Sequence, residues 1–286
     1  GLPSNVGRVI KSWHAPAPME VIWGVAVHPQ TGNLVISDRN TRRDYVVTSD
    51  GEFTGVSWPT PWAGSTPVEW AGGMAFDREG QYLWQRRVGG DNGIYKLEAR
   101  TGDFVGSITG GPWSIGDDHR GLAHNPNNDT FYVREWEEGV VCQIKGDSWN
   151  SPGEVIDQWD LDVRIADLAY HPIADVLAVV TCDRPDMVYL IDAESGSIIA
   201  EFLHPSAGDY EWGYVGAGCD FDVDGNLWLT FCAYGENILY LVETGLGAIG
   251  GWLGWNPRSG EIPPGGSMDI TVTADAAKLN PGKYAS

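Results

Sequence analysis

The sequence predicts an all-β fold, a closed ring of repeated antiparallel units, from three observations. Five segments share one pattern: a small residue, an alternating apolar strand, a polar turn and a second strand. They begin at Gly24, Gly73, Gly121, Asp167 and Gly218, a period of 46 to 51 residues, which suits a four-stranded sheet repeated around an axis. The N-terminus carries a segment that looks like the strand missing from the last repeat. The prediction is a five-bladed β-propeller; a six- or seven-bladed ring is the alternative.

The strand pairs read "GVAVHPQTGNLVISD", "GMAFDREGQYLWQ", "GLAHNPNNDTFYV", "DLAYHPIADVLAVVT" and "GCDFDVDGNLWLTF". Alternation with a polar turn is the signature of a half-buried hairpin. A third strand follows in each, as in "GIYKLEARTGD" and "MVYLIDAESGS", ending in Gly and Asp that suit a tight turn. A fourth strand follows in four repeats: "EFTGVSW", "DFVGSI", "EVIDQW" and "SIIAEFL". The fifth repeat has none. "GRVIKSWHAPAP", from Gly7, reads like those fourth strands and would close the ring, leaving no sheet edge open.

This pattern resembles the secreted bacterial propellers of the NHL, YncE-like and streptogramin-lyase-like group over about residues 7–245. The resemblance implies a fold and no catalytic residue, because propellers carry many activities. From Trp252 the texture changes, and "SGEIPPGGSMDITVTAD" with "LNPGKY" resembles the start of a bacterial Ig-like domain. Residues 1–248 are thus expected to form the propeller and 249–286 a partial Ig-like segment. That segment is too short for a full sandwich of roughly 100 residues, so self-association through it is a further expectation.

Composition narrows the partners. A formal charge of -21 argues against nucleic acid and anionic lipid, which require a basic footprint. No run of 18 apolar residues predicts a membrane span. Cys142, Cys182, Cys219 and Cys232 lack C-x-x-C spacing, so zinc and thioredoxin-like chemistry have little support, and the three possible pairings stay open. Few lysines beside many Trp and Gly suit a secreted or cell-surface protein.

"DFDVDG", from Asp220, opens like an EF-hand loop. An EF-hand needs flanking helices and a Glu at the twelfth position, where Phe231 stands between strands. The stretch is therefore a hairpin turn of the fifth repeat, with a looser calcium site through Asp222 and Asp224 as a minor alternative.

Two carboxylates stand out. The third repeat position is Ala26, Ala75, Ala123, Ala169 and then Asp220; the first is glycine except for Asp167. Both positions point to one face of the innermost strand, toward the axis. A buried carboxylate needs a partner. Asp167 and Asp220 either accept backbone amides in a wet channel or form a ligand or divalent-cation site at its mouth.

Seven of the 13 arginines, Arg39, Arg42, Arg43, Arg86, Arg87, Arg134 and Arg184, fall on links between second and third strands. Links between blades, which emerge on the same face, add Arg120, Arg164, Trp62, Trp70, Trp113 and Trp212. Nearby acids, including Asp117, Glu135, Glu137, Glu138 and Asp183, allow a rim of salt bridges. The functional reading is a recognition face where Arg grips anionic groups and Trp stacks on sugars or side chains.

His28 and His171 share one repeat position and read as strand-end structure, as does His124; His119, beside Arg120, is the one histidine suited to acid–base work. No G-x-S-x-G, H-E-x-x-H or P-loop is present. The expected function is a non-catalytic extracellular binding or scaffold module that meets a saccharide, peptide or protein through the Arg/Trp face. The alternatives are a lyase, lactonase or glycosidase-type enzyme around His119, Asp167 and Asp220, and a subunit joined through the Ig-like tail.

Overall fold

Among the described residues, the strands form five four-stranded antiparallel sheets and one two-stranded sheet. The structure, a computed structural model, describes residues 5–66, 69–116, 119–134, 139–182, 185–207, 216–233, 235–247, 253–256 and 271–274. The chain enters on β1 (Val9–His14). Blade one is β2 (Ile22–Val27), β3 (Leu34–Asp38), β4 (Arg43–Val47) and β5 (Phe53–Pro59). Blade two is β6 (Trp70–Phe76), β7 (Tyr82–Val88), β8 (Ile94–Glu98) and β9 (Phe104–Ile108). Blade three is β10 (Leu122–Asn125), β11 (Thr130–Arg134), β12 (Val140–Lys145) and β13 (Val155–Asp160). Blade four is β14 (Ile165–His171), β15 (Val176–Thr181), β16 (Met187–Asp192) and β17 (Ile198–Leu203). Blade five is β18 (Gly216–Phe221), β19 (Leu227–Ala233) and β20 (Glu236–Val242), and its fourth strand is β1.

The inner strands contact one another in the cyclic order β2, β6, β10, β14, β18 and back to β2, so the ring is closed with five blades. β1 pairs antiparallel with β20, Trp13 opposite Leu239 and His14 opposite Ile238. Hydrogen bonds from Gly7 N to Glu243 O (2.7 Å) and Ala15 N to Asn237 O (2.8 Å) extend the pairing at both ends.

The packing between blades repeats as faithfully as the strands. Each of the five interfaces between neighbouring blades encloses one apolar cluster, such as Val25, Ile36, Tyr45, Trp228 and Leu239 between blades one and five. The others lie between blades one and two, two and three, three and four, and four and five. At the periphery, a residue ending each outer strand presses on a positive-φ glycine of the next blade. Trp13 meets Gly51, Trp58 meets Gly102, Ile108 meets Gly153, Trp159 meets Gly196 and Phe202 meets Gly7. These glycines have φ between +70° and +89° and lie under the packed side chain, so an added methyl would be both strained and obstructed. In this cycle the N-terminus supplies both of blade five's partners, Trp13 and Gly7.

β21 (Leu253–Asn256) and β22 (Thr271–Ala274) pair antiparallel in a separate sheet. Most of the segment expected to be Ig-like lies outside the described residues. Among them, no helix is long and apolar enough to cross a membrane. No disulfide links Cys142, Cys182, Cys219 and Cys232, so none of the three pairings is formed.

Candidate functional site

The inner strands approach so closely that their first positions hold little beyond hydrogen. A methyl group on Gly24 would lie 2.1 Å from Gly72 O, and one on Gly218 2.4 Å from Trp23 O. Asp167 fills the room this leaves. Its Oδ1 accepts Leu122 N from blade three (3.1 Å) and its Oδ2 accepts Cys219 N from blade five (3.0 Å). The same Oδ1 occupies the space that a side chain at Gly73 of blade two would need. One carboxyl thus ties three blades at the axis. Burial pushes its pKa well above the usual carboxylate range, opposed by those amides.

Asp220 makes the corresponding link one pleat further along. Its Oδ2 accepts Val27 N of blade one (2.7 Å) and its Oδ1 accepts Phe221 N (2.9 Å). Burial raises it to about 7. Both axial aspartates therefore bond backbone amides of the next blade.

A second set of links sits on the second strands. Ser37, Arg86, Arg134, Val180 and Thr230 occupy one repeat position, and all are buried. Ser37 Oγ donates to Ala71 O (3.2 Å), Arg86 Nη2 to Trp113 O (3.0 Å), Arg134 Nη2 to Val163 O (3.1 Å) and Thr230 Oγ1 to Trp23 O (2.6 Å). Each reaches the next blade or the link leading to it. The exception is apolar Val180, and there Asp167 makes the connection. Arg86 also stacks on Trp113 at 4.7 Å, and burial lowers its pKa to about 9.

The residues expected on an Arg/Trp recognition face are placed accordingly. Arg86, Arg134, Trp70, Trp113 and His119 are all buried and serve the joints between blades. Trp70 meets Trp23 edge-on at 4.6 Å, and the guanidinium groups of Arg39 and Arg120 lie over the pair at 4.9 to 5.3 Å. His119 Nε2 bonds Ile115 O at 2.9 Å. Trp212, Arg184, Asp117, Glu135, Glu137, Glu138 and Asp183 fall outside the described residues. His119 and Arg120 precede β10, at the end of the axis occupied by the paired tryptophans, whereas Asp220 faces the opposite end. Asp167 sits on the axis beside the Leu122 amide and does not line the cavity that Asp220 lines.

At that opposite end, where the hairpins between first and second strands emerge, the axis widens into a cavity of about 320 Å³. All five blades contribute: Val27 and Pro29; Met74 to Arg78; Ala123, His124, Pro126 and Asn127; Leu168 to Tyr170 with Pro172 and Ile173; and Asp220 to Val223. The walls are mostly apolar, with Phe76, Tyr170 and Phe221 as aromatic panels and Asp220 at the axis. The hairpin tips are tied into a crown around it. Gln30 Nε2 donates to Glu79 O (2.9 Å), Arg78 Nη2 to Asn127 Oδ1 (2.6 Å) and Asn127 Nδ2 to Pro172 O (2.7 Å). Such ties hold the rim in place before any ligand arrives.

The histidines near this end are structural. His171 Nε2 bonds Gly247 O (2.9 Å) while its Nδ1 accepts Ala174 N (3.1 Å), and His28 Nδ1 accepts turn amides. His124 Nε2 lies 3.0 Å from Asp129 Oδ1. Asp222 accepts Asp224 N and Asn226 N on Oδ1, as a turn aspartate does, so backbone amides engage the carboxyl of the minor calcium alternative. Among the described residues, no group of three or more His, Cys, Asp or Glu is placed to hold a metal ion. The sequence held one unread signal for this cavity: Pro29, Pro126 and Pro172 share a repeat position, and all three line it.

Buried carboxyls also set a pH dependence. Asp44 is fully buried against Trp58, whose Nε1 donates to it at 3.0 Å, and burial raises it to about 7. An acid raised in the folded state binds protons more tightly folded than unfolded. Its contribution is therefore complete below the unfolded pKa near 4 and is lost as pH rises through 7. His204, lowered by burial to about 4, has the opposite dependence, finished by about pH 6.5. Thermal stability is expected to fall between about pH 6 and 8, with Asp44 contributing ~1 kcal/mol over that window. Asp44→Asn should flatten the fall; an unchanged slope in melts of the variant would contradict this role.

Fold and site together define a five-bladed β-propeller with an axial pocket on its hairpin face. No protein-family model matches the sequence, and no curated protein matches it. Among solved structures, glutaminyl cyclase from Myxococcus xanthus is similar over 84% of this chain and 98% of its own, with TM-score 0.57 and 12% identity. The PQQ-bound aldose sugar dehydrogenase from Streptomyces coelicolor matches 85% of this chain and 99% of its own, at TM-score 0.54 and 13% identity. Virginiamycin B lyase from Staphylococcus aureus matches 80% and 72%, at TM-score 0.46 and 16% identity. At such identities the likeness concerns the fold alone.

Proposed function

We propose that this is a non-catalytic extracellular binding propeller that holds a small, largely apolar molecule in the axial pocket of its hairpin face. The supporting observation is the cavity itself, about 320 Å³, enclosed by all five blades and lined mainly by apolar and aromatic side chains, with the Asp220 carboxyl at the axis. That size and lining suit a small organic ligand. Among the described residues, no Ser, Thr, Cys or Lys lines the pocket, and its His124 and Tyr170 are held on Asp129 and Asp175. The buried Arg and Trp side chains at the other end brace blades, which favours the pocket over that face as the place of recognition.

The test uses 3-phenylpropan-1-ol as a neutral probe in ligand-observed NMR. Val223, exposed at the pocket rim, is replaced by Trp to obstruct the entrance without touching the core. Val223→Trp is expected to weaken binding by about tenfold or more, whereas Arg39→Ala, at the opposite end, leaves it within about twofold. No binding, or equal loss in both variants, would overturn the reading.

A further inference from the structure

The pocket's polar groups are unbalanced in sign. Asp77, Asp220 and Asp222 line it, against a single permanent cation, Arg78. That guanidinium is turned to the rim, where its Nη2 donates to Pro126 O (3.1 Å) and Asn127 Oδ1 (2.6 Å). His124 is held on Asp129. Among the described residues no Lys, Arg or His pairs with Asp220 or Asp222. The Val27 and Phe221 amides use one lone pair on each Asp220 oxygen, and a carboxylate can accept further bonds.

A half-buried carboxylate among apolar walls is costly without an opposing charge. Val27, Met74, Phe76, Leu168, Tyr170 and Phe221 offer an apolar body little else to bond, and aromatic faces attract a cation. We propose that the ligand carries a protonated amine on a hydrophobic, aromatic-sized body, with Asp220 as its counter-ion and Asp222 adding negative potential. This rests on the axial pocket being the binding site. It adds a chemical class: organic ammonium compounds, in preference to neutral or anionic molecules of the same shape.

The experiment is calorimetric titration with three probes of one phenylpropyl skeleton: 3-phenylpropan-1-amine, 3-phenylpropan-1-ol and 3-phenylpropanoate, at about pH 8, where Asp220 is mostly ionised. The amine is expected to bind about tenfold or more tighter than the alcohol, with the acid weakest. Asp220→Asn keeps an oxygen for the Val27 amide and should erase the amine's advantage, bringing the two affinities to within about twofold of each other. Asp222→Asn, on the hairpin turn, serves should the first variant fail to fold, with an expected loss of about threefold for the amine alone. Equal affinities for amine and alcohol, or equal losses of both in the variants, would overturn the charge preference and leave the pocket reading standing. Absence of binding by all three would remove both.

Discussion

Deleting residues 1–14 is expected to leave no folded monomer. The deletion removes β1, exposing the whole edge of β20 and the Trp228 ring that Trp13 covers at 5.7 Å. It also strips Gly51 and Phe202 of the partners that join blade five to blades one and four. An unpaired apolar strand edge invites association, and the loss of one strand of an interface with its Trp should exceed about 5 kcal/mol, comparable to a domain's whole stability. Circular dichroism and size-exclusion chromatography would show unfolded or aggregated protein. Trp13→Ala, which keeps the backbone pairing, should cost about 3 kcal/mol and remain monomeric. A truncated chain that stays monomeric with unchanged melting would contradict closure of the ring through β1.

The second large effect is expected at Asp167. Replacing it with Ala leaves the buried amides of Leu122 and Cys219 without acceptors and opens a void on the axis. Two unsatisfied amides at roughly 1–3 kcal/mol each, plus the void, predict a loss of about 4 kcal/mol. Asp167→Asn retains one acceptor but presents an NH2 to the other amide, so about 2 kcal/mol is expected. Chemical denaturation measures both. If Ala costs no more than Asn, the carboxyl is not the three-blade tie described above.

The fold was legible in the sequence because a propeller repeats its physics. Five copies of one strand pattern fixed the blade number, and the likeness of "VIKSWHAP" to "GVSWPTP" pointed to the N-terminal closure that Trp13 and Gly7 complete. The site was much less legible. Arg86, Arg134 and Trp70 read as loop residues, yet β6, β7 and β11 extend to include them, and two residues of extra strand move a side chain from rim to interior. Their shared register with Ser37 and Thr230 was the available clue, since a position that is small and polar in other copies faces inward.

Asp167 and Asp220 stood out as departures from small residues, but periodicity could not show which partners they meet. That depends on how the inner strands of different blades sit beside each other, a relation between segments about 50 residues apart. The cavity is hidden for the same reason. Its walls are the ordinary strand ends of five blades, and only their convergence makes a pocket.

The most direct test asks which end of the axis receives a ligand. Methyl and indole NMR of the intact protein titrated with 3-phenylpropan-1-ol distinguishes the Met74 methyl, in the pocket, from the Trp23 and Trp70 indoles at the far end. The prediction is a saturating shift at Met74 with both indole signals unmoved. Shifts confined to Trp23 and Trp70 would place recognition at the opposite opening and contradict it.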